Sequence, residues 1–245
     1  MEIIIPMAGQ GKRFTEKYGN VFKPLIKVRG RTIIEHTLSS LNEEDLSKHN
    51  IHFVILEKHE TDFKVTSQLE SIFNFTFTMH YLEYATRGNL ETAYLVNKKI
   101  KPAKDVLFLD SDNYYEGAGL FNLISSKQEL EFAVTCCFEP LDDSCKWCFT
   151  TLNGDRVTGI YEKDKKALEL GGKPMMGVFY FSQAEMFNEL ADKVFERQIT
   201  TNNEYYLSSA LSQMLIENKP VFAFKANKII PLGTPEDIIK YAGLS

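Results

Sequence analysis

The sequence predicts an α/β fold, a three-layer α/β/α sandwich with a mixed, mostly parallel sheet. Short runs rich in Ile, Val, Phe and Tyr alternate with longer segments of helical periodicity through most of the 245 residues. With 44% hydrophobic and 25% charged residues, the chain can bury a full core as one large domain or two tightly fused lobes. No Pro/Gly/Ser linker, low-complexity tract or internal repeat divides it.

Glu2–Met7 opens the chain as an Ile-rich strand that runs into Gly9-Gln10-Gly11. Apolar residues at helical spacing follow over Thr32–Leu41, then a β-branched and aromatic strand over His52–Leu56. The same reasoning makes Phe63–Phe73 a helix, Thr76–Leu82 a strand, Leu90–Ile100 a helix and Val106–Leu109 a strand. Leu120–Ser126 is helical and Phe132–Phe138 a strand. Trp147–Lys163 differs: two short strand-like runs flank Leu152-Asn153-Gly154-Asp155, a turn signal that predicts a hairpin. The strand Val178–Phe181, the helices Gln183–Phe195 and Glu204–Glu217, the strand Val221–Phe224 and the helix Pro235–Tyr241 complete the order.

Net charge is −5, from 28 Lys+Arg against 33 Asp+Glu, which argues against attachment to nucleic acid through a general basic surface. No apolar run approaches the roughly 20 residues a bilayer span needs, and Met1–Met7 lacks the basic start of a signal peptide. A cytoplasmic protein with neither nucleic acid nor membrane as partner is expected. Cys136, Cys137, Cys145 and Cys148 lie in one stretch, the last two as C-x-x-C. No second pair or nearby His completes a zinc set, and strand alternation sends Cys136 and Cys137 to opposite faces. The histidines, His36, His49, His52, His59 and His80, show no metal spacing.

The chemistry is concentrated at two places. Two glycines directly after a buried strand let backbone amides approach a triphosphate, and Lys12, Arg13 and Lys23 can neutralise its charge. Arg13 stands where a Walker A loop needs Ser or Thr, and Phe14 replaces the third glycine of a dinucleotide fingerprint. A tight turn would also explain the glycines, and Lys23-Pro24 would suit a surface turn. Asp110-Ser111-Asp112-Asn113 ends the strand Val106–Leu109, where such sheets place ligand chemistry and where a carboxylate can take Mg²⁺. Capping of the next turn is the alternative.

The string I-I-I-P-M-A-G-x-G-K-R-F, followed by K-P-L-I-x-V and I-I-E-H, resembles the signature of the sugar-phosphate nucleotidyltransferase family. These are pyrophosphorylases of GT-A-like, Rossmann-like fold, and the small phosphocholine-type cytidylyltransferases are similar to them. The likeness continues in order through Thr86–Ala93, Leu109–Asn113, Tyr161–Lys163, Met176–Val178 and Leu232–Asp237, nearly the whole chain. It implies one domain, with residues 1–140 mainly nucleotide-binding and 141–245 mainly acceptor-binding. It implies Mg²⁺-dependent transfer of a nucleoside monophosphate from an NTP, with CTP, UTP or dTTP favoured, to a sugar phosphate or other small phosphorylated acceptor. Pyrophosphate is released, and the product would serve surface polysaccharide or cell-envelope synthesis. A homodimer stays open.

By this resemblance Arg13, Lys23, Asp112 and Lys163 are the catalytic residues, Lys163 meeting the acceptor phosphate. Met7, Ala8, Gly9, Gly11, Lys12, Thr86, Gly88, Thr92 and Ser111 bind the nucleotide, and Asn113, Glu162 and Gly177 the acceptor. Asp112 is the metal ligand, with Asp110 supporting it or reaching the metal through water. The relatives' second metal carboxylate, just before the late Gly-Thr, is missing from Ile230-Pro231-Leu232-Gly233-Thr234. Glu204 is the substitute, or else a residue of a helix start capped by Asn202 or Asn203. Arg87 and Glu91 are base readers or solvated charges, and Glu162-Lys163 is an acceptor site or an exposed pair. Two rival functions stay open: a metal-dependent glycosyltransferase using Asp110-Ser111-Asp112, and a nucleotide-binding regulator without turnover. Against the first, a triphosphate cradle is wasted on a diphosphate donor.

Overall fold

The computed structural model describes residues 1–100, 104–141, 146–164 and 166–243. Strand β1 (Glu2–Pro6) buries Ile3, Ile4 and Ile5 completely. Gly11, at φ +59°, then turns the chain into helix α1 (Lys12–Tyr18), which the sequence pattern did not reveal. A 3-10 turn, Lys23–Leu25, precedes the ribbon of β2 (Lys27–Val28) and β3 (Arg31–Thr32). Thr32 starts α2 (Ile33–Leu38) through a capping box with Glu35. Next come α3 (Glu43–Leu46), β4 (Asn50–Leu56), α4 (Glu57–Phe63), α5 (Val65–Ile72) and β5 (Phe77–Leu82). The helix expected over Phe63–Phe73 is α5, and α4 before it, not expected from the sequence, is set off where Lys64 adopts φ +50°.

Helix α6 (Asn89–Lys99), β6 (Val106–Leu109), β7 (Asn113–Tyr115), α7 (Leu120–Ser126) and β8 (Ala133–Cys137) follow. The expected hairpin is β9 (Cys148–Asn153) and β10 (Arg156–Glu162), turning at Gly154 with φ +66°. After α8 (Lys166–Glu169), β11 (Lys173–Phe181) extends beyond the expected Val178–Phe181, because Pro174 and Gly177 are accommodated inside it. The chain ends in α9 (Ala184–Glu196), α10 (Leu207–Ile216), β12 (Val221–Lys225), β13 (Ile229–Pro231) and α11 (Pro235–Ala242).

Nine strands form one sheet in the order β5-β4-β1-β6-β11-β8-β12-β10-β9. Parallel pairing joins β5, β4, β1 and β6, and again β8 and β12. Antiparallel pairing joins β11 to β6, β8 and β9, and β10 to β9 and β12. The sheet is thus mixed, with an unbroken parallel run only from β5 to β6. Strand alternation divides its side chains between two apolar clusters. Ile4, Val54 and Phe108 join residues of α6, α9 and α10, whereas Ile3, Ile5, Phe53 and Leu107 join residues of α2, α5 and α7. Cys136 and Cys137 fall in different clusters as expected, and burial pushes the Cys137 thiol up to about 11, so neither is placed for reactivity. Cys145, and with it the C-x-x-C, lies outside the described residues. Among the described residues no helix is long and apolar enough to cross a membrane.

Candidate active site

A cleft of about 750 Å³ opens at the carboxyl ends of β1 and β6, the end where ligands bind in parallel α/β sheets. One wall is the loop Met7–Gly11 with Lys12 and Arg13 at the start of α1; both cations are exposed and neither has an ion-pair partner among the described residues. Lys23 enters from its 3-10 turn beneath this loop. It packs 5.5 Å above the Phe14 ring and pairs with Asp112 Oδ2.

The opposite wall is Asp110-Ser111-Asp112, directly after β6. Asp112 Oδ1 accepts from Asn113 Nδ2 at 2.9 Å, and the Asp112 carbonyl accepts from Leu232 N at 2.9 Å. The β7–β13 pairing thereby brings Gly233 against the carboxylate. Asp110 is braced differently. Its backbone N donates to Gly177 O at 2.8 Å, and a Cβ on Gly177 would lie 2.1 Å from Asp110 Oδ2. Burial, reinforced by the Asp112 charge, pushes the Asp110 carboxyl up to about 7. A cation placed beside the pair would offset that repulsion and favour the ionised Asp110.

The third wall is the Ala85–Asn89 loop. Thr86 and Thr92 hydroxyls lie 2.6 Å apart and both reach Gly88 O, closing the loop on itself. Gly88, at φ +136°, packs so closely on Tyr205 that a Cβ would meet its carbonyl at 2.3 Å. Arg87 forms a bidentate pair with Glu91 and stacks 4.9 Å from the Tyr205 ring, so these two charges answer each other at the rim of the cleft.

The structure corrects the local reading of Glu204. Helix α10 begins at Leu207, not at Glu204: the Tyr205 backbone bonds Arg87 and Leu90 instead, and Asn202 and Asn203 before it both take positive φ. Thr201 and Glu204 exchange backbone hydrogen bonds of 3.0 Å across them, a tight reversal suited to an Asn-Asn pair. Glu204 lines the cleft, yet among the described residues no three of Asp, Glu, His and Cys come together as a metal set. Its carboxylate instead accepts from the Tyr206 hydroxyl, which also accepts from Lys163 Nζ at 2.6 Å. Glu162 accepts from Ser208 Oγ at 2.6 Å.

No family model and no curated protein matches the sequence. Solved structures do. A nucleoside-diphosphate-sugar pyrophosphorylase from Vibrio cholerae RC9 superposes with a TM-score of 0.80 over 98% of this chain and 99% of its own, at 17% identity. The inositol-1-phosphate CTP transferase from T. maritima does so with a TM-score of 0.74 over 99% and 94%, at 13% identity. HddC from Yersinia pseudotuberculosis gives 0.67 over 99% and 98%, at 16% identity. The chain has the fold of the sugar-phosphate nucleotidyltransferases.

On this nucleotidyltransferase fold the cleft gathers Met7, Ala8, Gly9, Gly11, Lys12, Arg13, Lys23, Thr86, Gly88, Thr92, Asp110, Ser111, Asp112 and Glu204. Four residues singled out by motif are outside its lining. Asn113 supports Asp112, Gly177 makes room for Asp110, Lys163 reaches the lining residue Tyr206, and Glu162 contacts Ser208 behind it. Gln10, Asn89, Asn203 and Tyr206 line the cleft without having been identified from sequence. The Asn202-Asn203 dipeptide was a signal for the turn that presents two of them.

Proposed function

We propose that the protein is a nucleotidyltransferase that moves a nucleoside monophosphate from an NTP to a small phosphorylated acceptor and releases pyrophosphate. The carrying observation is the opposition, across one cleft, of the glycine loop with Lys12, Arg13 and Lys23 to the Asp110/Asp112 pair. The donor set fits Mg²⁺, which favours one or two carboxylates with its remaining positions on water and phosphate. Asp112 would hold it with Asp110 alongside. When bound, the ion would neutralise charge on the triphosphate.

The chain's own residues account for the rest. Loop amides with Lys12 and Arg13 bind the polyphosphate, and Lys23 can exchange Asp112 for a phosphate oxygen at little cost in charge. An oxygen of the acceptor phosphate attacks the α-phosphorus; that P–O bond forms as the bond to the β-phosphate breaks, and the electron pair leaves with pyrophosphate. The attacking oxygen is already anionic, so no general base is needed, and positioning with charge neutralisation suffices. Lys163 serves the acceptor phosphate. A sugar phosphate or similar phosphoester destined for an envelope polysaccharide, and a pyrimidine nucleotide as donor, are the finer reading.

The test is pyrophosphate release from CTP, UTP and dTTP with Mg²⁺ and a panel of sugar 1-phosphates, inositol 1-phosphate and phosphocholine. Release that needs both substrates is expected. Cleavage of nucleotide sugars without pyrophosphate formation would instead establish the glycosyltransferase reading.

A further inference from the structure

We propose that Tyr206 is a positioning residue that aims the Lys163 ammonium at the acceptor phosphate, an inference that rests on the proposed transferase reading. Lys163 follows β10 with a backbone held at φ +55° and a bond from its N to Trp147 O of 3.1 Å. Its long side chain would otherwise sample many rotamers. Here the tip is held by the Tyr206 hydroxyl at 2.6 Å. The phenol donates its one proton to Glu204, so its lone pairs are turned toward Lys163. Two ammonium donors stay available for an incoming phosphate.

Tyr206 is itself immobilised by the nucleotide wall. Tyr205 N donates to Arg87 O at 2.8 Å, Leu90 N to Tyr205 O at 3.2 Å, and Leu207 N to Asn89 Oδ1 at 2.9 Å. Glu204 is fixed by the tight Thr201–Glu204 turn. The acceptor-side lysine is therefore registered, through one phenol, to the loop that lines the nucleotide cleft. This arrangement places Glu204 on the acceptor side of the cleft and gives it a task other than metal binding.

The test is Tyr206→Phe, which keeps the ring and the start of α10. Using whichever of glucose 1-phosphate, inositol 1-phosphate or phosphocholine the wild type turns over fastest, kcat/KM for that acceptor is expected to fall roughly 10- to 100-fold, the range for a lost hydrogen bond to a charged group. The KM for NTP and the Mg²⁺ midpoint should stay within about twofold. Equal losses for both substrates, or a shifted Mg²⁺ midpoint, would overturn the proposal. A second measurement needs no turnover: in protein labelled with ¹³Cε-lysine, the Lys163 resonance, assigned by its loss in Lys163→Gln, should move toward that of free lysine in Tyr206→Phe, and inorganic phosphate should shift it less than in wild type. An unmoved resonance defeats the contact, whereas a wild type that releases no pyrophosphate defeats the functional reading.

Discussion

Asp112 and Lys23 form the hinge of the site's electrostatics. Each is about four-fifths buried and is the other's partner, so removing either leaves an uncompensated charge in the cleft. Lys23→Ala is expected to cost roughly 2.7–4 kcal/mol of transition-state stabilisation, the range for a preorganised electrostatic group, read as kcat/KM. Asp112→Asn should nearly abolish turnover while circular dichroism shows an intact fold. Wild-type activity of Asp112→Asn at limiting Mg²⁺ would remove it from the metal site. Asp112 was legible in the sequence because D-x-D at a strand end is a local pattern. Tyr206 was not, because a tyrosine preceding an apolar helix looks like core, and only the placement of Lys163 beside it gives its hydroxyl a use.

At the scale of elements, the crossing of β11 and β6 determines where Asp110 sits. Val178 pairs with Leu109 in antiparallel register, which sets Gly177 against the residue after β6. Gly177→Ala should therefore act through Asp110. A methyl group 2.2 Å from the Asp110 side chain must displace it or the strand, costing roughly 1–3 kcal/mol as for other overpacked sites. Urea unfolding would measure that loss, and turnover should fall with it; a variant as stable and active as wild type would show that the carboxyl moves aside freely. The family resemblance pointed to this glycine for another reason, as an acceptor-binding residue. The structure supplies an intramolecular neighbour that sequence spacing does not encode. The Glu204 segment makes the same point, since helical periodicity extended over Glu204, Tyr205 and Tyr206, which precede the helix in the structure.

For the whole molecule, two solution properties follow. At the edge of the sheet Glu2, His52 and His80 form a hydrogen-bonded chain, His52 contacting Glu2 at 2.5 Å and His80 at 2.9 Å. Burial, with lesser contributions from His52 and Lys99, pushes His80 down to about 4 from its ordinary 6.5. The unfolded chain thus binds this proton more readily, so its stabilising contribution is complete above pH 6.5 and is lost as pH falls toward 4. His80→Gln is expected to flatten that limb, measured by urea unfolding at pH 7 and pH 4.5; parallel losses in both proteins would assign the acid sensitivity to other groups. Nucleotide binding should act in the opposite direction. An NTP with Mg²⁺ at 100 times its Kd adds about 2.7 kcal/mol, so a thermal shift confined to one base among CTP, UTP, dTTP, GTP and ATP would identify the donor.

The order of strands and helices, the glycine loop after β1 and the D-x-D all rest on interactions between residues near one another in the chain. Periodicity, glycine spacing and strand-end position report such interactions directly, and those features were readable from the amino-acid string. The reversal of β11, the Gly177–Asp110 contact and the Lys163–Tyr206 contact join residues from 43 to 75 positions apart. Those contacts are settled by the register in which strands pair and by the space left between packed elements. Neither quantity is carried by any single segment.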